Sequence, residues 1–405
     1  MSYSLNIREV TYALSGALDY VGIDDTHHGK RVAYMAAALA QELSWKQDIV
    51  DDIIFAGMLH DCGVSSTDVH THLVNELDWD NSQVHCIRGE ILLKSTNIYG
   101  KFSEYIKYHH THWQDLSSDL NEDVKNISNL IYLVDRVDAL RTQIQVSGVE
   151  SIYAIQETIK KFSNKMFSPM LVEAFMTVSS KDSFWFYLET EALSEYFILW
   201  TNKGNNEPLS YEQVKEIALM FAAVVDAKSE FTSQHSLGVS VLARYLAELF
   251  DLSLERCEEV ELAGLLHDLG KLKVEDAILD KPSKLNADER LKMNRHGFDS
   301  YIILRHIEGF KKIAKLASLH HETLDAKGYP YNLSAAQIPL EGRIITVSDI
   351  FQALIQDRPY RDGLSADEAF NIINTMCEDG KLDFVVVQKL KENLHKCYEL
   401  ATVKG

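Results

Sequence analysis

The sequence has few of the residues that interrupt helices or cross-link small secreted domains. Its 405 residues include five cysteines, an odd number with no repeating spacing, and only six prolines. The pattern argues against a disulfide framework, and reduced thiols in a cytosolic protein are expected. Strand-like alternation is also scarce, whereas apolar residues recur at helical spacing almost throughout, as in residues 239–250. The sequence predicts an all-α fold.

Long apolar runs and an excess of positive charge are lacking as well. No stretch approaches about 18 uncharged apolar residues, and Arg8, Glu9 and Asp19 come too early for a signal peptide. The formal net charge is −20, which argues against non-specific binding to nucleic acid or to an anionic membrane. A local cluster of lysine and arginine can still hold a small anionic ligand. We therefore expect a cytoplasmic protein that binds neither DNA, RNA nor a membrane.

The sequence does contain a histidine and an aspartate side by side at the end of an apolar run. In residues 264–271, GLLHDLGK, His267 and Asp268 follow two leucines, and Gly270 is expected to stop the helix. Adjacent side chains inside a helix diverge by about 100°, so such a pair reaches one ligand best where a helix ends. The pair is therefore a candidate for metal binding.

Other histidines and an aspartate on both sides strengthen this interpretation. We call the following seven residues the C-terminal ligand set: His235, His267, Asp268, His296, His320, His321 and Asp349. Five histidines and two aspartates are too many for one metal and suit two metals with one bridging carboxylate. Imidazole and carboxylate ligands favour Fe, Mn, Zn, Co or Ni over Ca.

The N-terminal half repeats the order of these ligand types. We call the following residues the N-terminal ligand set: His28, His60, Asp61, His85, His109, His110 and Asp135. In both sets 32 positions separate the first histidine from the second, and 24 separate the third from the fourth. This repeat predicts two related domains. We expect the first domain in residues 1–200 with a connector helix at its C-terminal end, a linker in residues 201–209, and the second domain in residues 210–405.

Two motifs extend the pattern beyond the ligands. Residues 320–330 read HHETLDAKGYP, and residues 357–361 read DRPYR. These motifs, in this order, resemble the HD-GYP family of cyclic-dinucleotide phosphodiesterases over most of the C-terminal half. Residues 281–285, KPSKL, also resemble the family's segment between the His-Asp pair and the next ligand. Thr323, Ala326 and Ser283 depart from the residues usual in that family, and none of the three is a predicted ligand. A degenerate HD domain before an HD-GYP domain is similar to the bacterial enzymes that open 3′,3′-cGAMP.

The resemblance implies a metal-dependent hydrolase of a cyclic dinucleotide. Metal-activated hydroxide would attack phosphorus and open the ring to a linear dinucleotide, with 3′,3′-cGAMP as the favoured substrate. The cofactors would be two divalent transition metals such as Fe or Mn, bridged by Asp268. One metal would also bind His235, His267 and Asp349, and the other His296, His320 and His321.

The resemblance also implies residues that contact the substrate. Lys271 is expected to place its ammonium on a phosphate oxygen and, together with Asp268, to be catalytic. Arg358 is expected to clamp phosphate or stack on a base, and Arg361 is a weaker candidate for the same role. Tyr329 is expected either to contact a base or to shape its loop.

The N-terminal copy keeps the ligand types and loses the rest of the motif. Val64 stands where the C-terminal copy has Lys271, and no Gly-Tyr-Pro segment follows His110. Two interpretations stay open: a metal-bound regulatory domain, or a decayed copy whose histidines are merely buried or solvated. We expect this domain to pack on the catalytic domain. An aromatic-rich helix over residues 181–200 would either lie between the halves or form a homodimer contact.

Other functions remain as alternatives. The substrate is c-di-GMP in one of them, because no residue in the motifs distinguishes adenine from guanine. A non-catalytic sensor of a cyclic dinucleotide is another, although the complete ligand set and Lys271 argue against it. A nucleotidohydrolase of the wider HD superfamily is the third, and the Gly-Tyr-Pro segment argues against that one.

Overall fold

The computed structural model describes residues 2–22, 27–144, 148–228, 234–357 and 362–402. The chain divides into two compact units. The N-terminal unit is Asn6–Asn206, and the C-terminal unit combines Met1–Leu5 with Glu207–Gly405. Nearly all the described elements are helices, so the predicted all-α class is confirmed.

The helices of the N-terminal unit are numbered in chain order. They are α1 Ile7–Leu18, α2 His28–Glu42, α3 Gln47–Leu59, α4 Thr67–Asn75, α5 Gln83–Lys94, α6 Ser103–Lys107, α7 Glu122–Gln143, α8 Val149–Lys161, α9 Pro169–Ser179, α10 Asp182–Phe186 and α11 Thr190–Asn202. Side-chain caps begin several of them, since Asn6, Ser66 and Asn121 each accept a hydrogen bond from a backbone N–H in the first turn.

Helices α2, α3 and α7 form the centre of the N-terminal unit. Helices α2 and α3 cross so closely that a Cβ on Gly57 would lie 2.8 Å from the Cα of Ala33. Helix α7 is buried on every side along residues 127–140. Polar side chains in that stretch, Asp135 among them, therefore need partners inside the protein, because an unpaired buried charge is costly.

The elements of the C-terminal unit are numbered in the same way. They are β1 Ser2–Leu5, β2 Glu207–Ser210, α12 Tyr211–Asp226, α13 His235–Leu249, α14 Leu254–Leu266, α15 Asp276–Leu279, α16 Ala287–Asn294, α17 His296–Leu304, α18 Lys311–Ala317, α19 Leu340–Ile355, α20 Ala366–Glu378, α21 Phe384–Glu392 and α22 Leu394–Ala401. A 3-10 helix, Leu269–Lys273, follows α14 closely.

Helices α13, α14 and α19 form the centre of the C-terminal unit. The crossing of α13 and α14 repeats that of α2 and α3, because a Cβ on Gly264 would lie 2.9 Å from the Cα of Ser240. Both crossings bring the end of one helix beside the start of the other. The repeat in the sequence therefore corresponds to a repeat in helix packing.

A short antiparallel sheet is the exception to the helical architecture. Strand β1 pairs with β2, with Ser2 opposite Ser210. Ser210 then caps α12, because its side chain accepts from the backbone N–H of Gln213 while the Gln213 side chain accepts from the backbone N–H of Ser210. The first few residues of the chain thus belong to the C-terminal unit, which sequence periodicity did not indicate.

Two local expectations differ from the structure. The aromatic-rich helix expected over residues 181–200 is divided into α10 and α11, because Glu189 is extended, with ψ of 145°. Residues 201–209, expected to be a linker, contain the end of α11 and most of β2. Among the described helices, none is both long enough and apolar enough to cross a membrane.

Candidate metal centres

Helix ends place most of the C-terminal ligand set. His235 and His296 are the first residues of α13 and α17, and His267 directly follows the last residue of α14. Asp349 lies within α19, one of the central helices. At helix ends the chain direction changes, so neighbouring side chains such as His267 and Asp268 can point to one place.

Gly270 has a different role from the one that the sequence indicated. We expected it to stop the helix, but α14 already ends at Leu266, and Gly270 lies inside the 3-10 helix Leu269–Lys273 without a positive φ. A Cβ at Gly270 would instead lie 2.0 Å from the carbonyl oxygen of His296, and a Cβ at Gly63 would lie 1.9 Å from that of His85. In both units, glycine allows the turn after the His-Asp pair to pack against the backbone of another predicted ligand.

The two carboxylate oxygens of Asp268 face different histidines. Oδ2 lies 3.6 Å from His235 Nε2 and 3.2 Å from His267 Nε2. Oδ1 lies 3.5 Å from His296 Nε2 and 3.8 Å from His320 Nε2. One carboxylate therefore lies between two histidine pairs, as a bridging ligand would.

Asp349 also contacts histidines of this set. Its Oδ1 lies 3.2 Å from His235 Nε2, and its Oδ2 lies 3.8 Å from His321 Nδ1. The structure thus brings all seven residues of the C-terminal ligand set together. Their metal-binding role stays a prediction.

The orientation of the imidazoles fits cations between them. The Nδ1 atoms of His267, His296 and His320 donate to backbone carbonyl oxygens at 2.6–2.7 Å, so each neutral ring has its lone pair on Nε2. Yet His296 Nε2 and His320 Nε2 lie only 2.9 Å apart. Two lone pairs repel at that distance unless a cation or a proton lies between them. Asp268 Oδ1 is buried and has no hydrogen bond among the described residues, which also fits a metal ligand.

The site combines neutral imidazoles at His296, His320 and His321 with ionised carboxylates. Burial lowers the pKa of His296 to about 4 and that of His321 to about 3. Burial alone would raise the pKa of Asp268, but His267 and Lys271 hold it well below its usual range. Neutral imidazole and ionised carboxylate are the forms that bind metals.

Lys271 and Tyr329 lie beside this set. The Lys271 ammonium forms an ion pair with Asp268 Oδ2, and its side chain is 20% exposed. The Tyr329 ring lies 4.6 Å from the His321 ring, measured between centroids. Arg358 and Arg361 lie outside the described residues, so their predicted contacts are not part of this description.

Glu322 is a residue of the site that sequence reasoning missed. Its carboxylate is buried and accepts hydrogen bonds from the backbone N–H groups of Tyr331 at 2.7 Å and Leu333 at 2.8 Å. Tyr329 N donates to His321 O at 3.1 Å, so both ends of the Gly-Tyr-Pro loop are fixed beside the ligands. The available signal was its position, directly after the paired histidines.

Two of the three departures from the family pattern, Thr323 and Ala326, lie in the same loop. Thr323 Oγ1 donates to Asp325 Oδ1 at 2.6 Å. Ala326 has φ of 59°, a left-handed conformation in which glycine carries no steric penalty. Alanine at this position therefore adds local strain without changing any predicted ligand.

The N-terminal ligand set repeats the same geometry. Asp61 Oδ2 lies 3.7 Å from His28 Nε2 and 3.4 Å from His60 Nε2, and Asp61 Oδ1 lies 3.6 Å from His85 Nε2. His28 Nε2 lies 3.3 Å from Asp135 Oδ1. The structure therefore brings these predicted residues together as well.

A buried arginine distinguishes the N-terminal set. The Arg136 guanidinium contacts Asp135 Oδ2 at 2.8 Å and donates to Glu76 O at 2.7 Å. His110 Nε2 faces the same Asp135 oxygen at 3.5 Å. Asp349, which corresponds to Asp135, contacts no arginine or lysine side chain in the described part of the chain.

Comparisons with known proteins agree with this duplicated architecture. Residues 219–386 match one family model described as an HD domain, and residues 26–143 match a second HD-domain model. The 3′3′-cGAMP-specific phosphodiesterase 1 of Vibrio cholerae is 36% identical over 419 aligned positions, which cover 100% of this chain and 96% of that protein. The cyclic di-GMP phosphodiesterase response regulator RpfG of Xanthomonas campestris is 37% identical, over 39% of this chain and 42% of that protein.

A crystal structure of a cyclic GMP-AMP-specific phosphodiesterase from Vibrio cholerae has the same fold. It aligns with a TM-score of 0.66 at 24% identity and covers 98% of both chains. The two units thus define a protein with tandem HD domains. The chain belongs to the HD-domain family, and it is similar along its whole length to 3′3′-cGAMP-specific phosphodiesterase 1 of Vibrio cholerae.

Proposed function

We propose that the C-terminal unit hydrolyses a phosphodiester bond of a cyclic dinucleotide, with 3′3′-cGAMP as the favoured substrate. The observation that carries this proposal is the position of Asp268, whose two oxygens face separate histidine pairs while Lys271 contacts one of them. The full-length similarity to a 3′3′-cGAMP-specific phosphodiesterase supports the choice of substrate.

The C-terminal ligand set would hold two divalent transition metals, with Fe or Mn as our proposal. When bound, such a pair lowers the pKa of a water molecule and offsets negative charge on phosphate. Lys271 adds a positively charged protein side chain that can bind the phosphate of the substrate. Its ammonium lies at the edge of the ligand set and is partly exposed, so it can move from Asp268 to a phosphate oxygen without burying a new charge.

The remaining substrate contacts are assigned to the two motif loops. Tyr329 is fixed against His321 through the loop that Glu322 holds, so we assign it to loop shape and to one wall of the site. Arg358 and Arg361 are proposed to contact phosphate or a base, on the strength of the motif alone. Asp357, the first residue of that motif, accepts a hydrogen bond from the backbone N–H of Gly363 at 2.8 Å.

The N-terminal unit is proposed as a metal-binding domain without catalytic activity. It has the ligand geometry but has Val64 in place of Lys271 and lacks the Gly-Tyr-Pro loop. The predicted limits of the two HD domains, residues 1–200 and 210–405, stay proposals, and the compact units differ from them by placing Met1–Leu5 with the C-terminal half. Packing of the N-terminal domain on the catalytic domain and a homodimer contact also stay predictions.

Product analysis tests the proposed reaction. The full chain, supplied with Mn²⁺ or Fe²⁺, is incubated in parallel with 3′3′-cGAMP, c-di-GMP and c-di-AMP, and linear dinucleotides are separated by chromatography. We expect turnover of 3′3′-cGAMP to be fastest. Faster turnover of c-di-GMP would favour the alternative substrate, whereas tight binding without any product would identify a sensor.

A further inference from the structure

The N-terminal unit contains a cysteine within a group of metal-type side chains. Ligand atoms of His85, Cys86 and His109, all buried, lie within 4.8 Å of one another. Asp61 Oδ1 lies 3.6 Å from the Nε2 atom of one member of this group, His85. We propose that these four residues form a zinc-type site with one thiolate, two imidazoles and one carboxylate.

The separations match those of a tetrahedral site. Bond lengths of about 2.0–2.1 Å for Zn–N and about 2.3 Å for Zn–S separate two nitrogens by about 3.3 Å and nitrogen from sulfur by about 3.5 Å. His85 Nε2 and His109 Nε2 lie 3.2 Å apart, and Cys86 Sγ lies 3.8 Å from His85 Nε2. These two separations differ from the tetrahedral values by only a few tenths of an ångström.

The hydrogen bonds around the group leave the required atoms available. His109 Nδ1 donates to Ile106 O at 2.5 Å, so the neutral ring has its lone pair on Nε2, toward His85. The Cys86 thiol donates to Ser82 O at 3.3 Å. Metal binding would break this weak hydrogen bond, and the thiol proton would pass to solvent as the S–metal bond forms.

Arg136 explains why the N-terminal site would differ from its C-terminal counterpart. In the C-terminal unit, His296, His320 and His321 form a three-imidazole group, and Gly297 stands at the position of Cys86. In the N-terminal unit, the Arg136 guanidinium donates a hydrogen bond to Asp135 Oδ2, the same oxygen that faces His110. Cys86 then supplies the third donor in place of His110.

This donor set predicts a structural role. A thiolate selects softer, tetrahedral cations such as Zn²⁺ over Mn²⁺. Four protein ligands leave no coordination position for a substrate, which is the pattern of structural zinc sites. The proposed zinc site therefore differs in chemistry from the proposed pair of catalytic metals, although both lie in copies of the same repeated fold.

Cobalt substitution of the full chain tests the proposal. The Asp268→Ala background weakens metal binding in the C-terminal unit, and Co²⁺ is then titrated while thiolate-to-cobalt charge transfer is followed in the near ultraviolet. We expect a charge-transfer band that saturates at about one Co²⁺ per chain. Cys86→Ser should abolish the band, whereas Cys62→Ser, a matched change of another buried cysteine beside a predicted ligand, should keep it.

A second variant covers the case in which Cys86→Ser does not fold. A chain in which Cys86 is the sole cysteine, with Cys62, Cys257, Cys377 and Cys397 changed to serine, should retain the band. Cobalt binding without a charge-transfer band, or a band that survives Cys86→Ser in folded protein, would overturn the proposal. These spectra are independent of turnover, so failure of the proposed enzymatic function would not imitate either outcome.

Discussion

The two ligand sets share one geometry and differ in the position of the nearest cation. In the C-terminal unit, Lys271 contacts Asp268, the proposed bridging ligand, from the partly exposed edge of the site. In the N-terminal unit, Arg136 contacts Asp135 from inside the protein, with only 2% of its side chain exposed. A partly exposed ammonium can reach a phosphate, whereas a buried guanidinium held by a carboxylate and a carbonyl cannot. Ligands alone therefore do not define a catalytic HD domain.

The largest difference between the units should follow from changing the two equivalent aspartates. Asp268→Ala removes the oxygens that face both histidine pairs, so we expect metal loss from the C-terminal unit and a fall in kcat/KM of at least about 10³-fold. Asp61→Ala removes the equivalent residue of the N-terminal unit and should keep most of the turnover. Product formation and metal content are measured on the same preparations.

The outcomes of this pair of variants are asymmetric. Equal loss of turnover in both would mean that the N-terminal unit takes part in catalysis. Full turnover by Asp268→Ala protein, free of contaminating phosphodiesterase, would exclude the proposed site.

Changes at Lys271 and at Val64, its counterpart in the N-terminal unit, compare the two units in substrate binding. Lys271→Ala should retain the metals and lower kcat by about 10²–10³-fold, because a charged contact made mainly in the transition state is lost. The converse change, Val64→Lys, should not create a second active site, since the N-terminal unit still lacks the Gly-Tyr-Pro loop. Kinetics and metal analysis are compared for both variants, and metal loss in Lys271→Ala would reassign Lys271 to the structure of the site.

A change at Glu322 tests whether the Gly-Tyr-Pro loop, which the N-terminal unit lacks, contributes to catalysis. Glu322→Gln keeps the size of the side chain but replaces one acceptor oxygen with an N–H donor, which faces a backbone N–H group. We expect a cost of about 1–3 kcal/mol, expressed as displacement of the loop and a decrease of about 10–100-fold in kcat/KM. Thr111→Gln, at the equivalent N-terminal position, is the control and should leave turnover unchanged. Unchanged kinetics for Glu322→Gln would show that the loop does not depend on this carboxylate.

Metal removal should reveal the smallest difference between the two units, because both are expected to bind metals and so to lose stability when the metals are removed. A ligand present at about 1,000 times its Kd stabilises the folded state by about 4 kcal/mol, so chelation should lower Tm by several degrees. Differential scanning calorimetry of the unsubstituted chain, Asp61→Ala and Asp268→Ala measures the shift. A shift that persists in full in Asp61→Ala would indicate that the N-terminal set contributes no metal-dependent stability.

The predictable part of the site lies in residue types and spacings. The order of histidines and aspartates indicated the ligands of both units, and the structure brings both sets together. Glu322 could not be assigned in this way, because its partners, Tyr331 and Leu333, become visible only when the loop folds back. Gly270 was predicted to stop a helix, but its role is to leave room for the carbonyl group of His296. That role could not be predicted, because the two residues are distant in sequence.

The sequence by itself determined the helical class, the repeat and the candidate ligands, because each depends on periodicity or spacing along the chain. Only the tertiary structure shows that Arg136 contacts the Oδ2 atom of Asp135. Only the tertiary structure shows that Cys86 lies beside His85 and His109. It also decided that β1 belongs to the C-terminal unit. These features depend on side-chain direction and on contacts between distant segments. Packing fixes both, and local sequence preference does not.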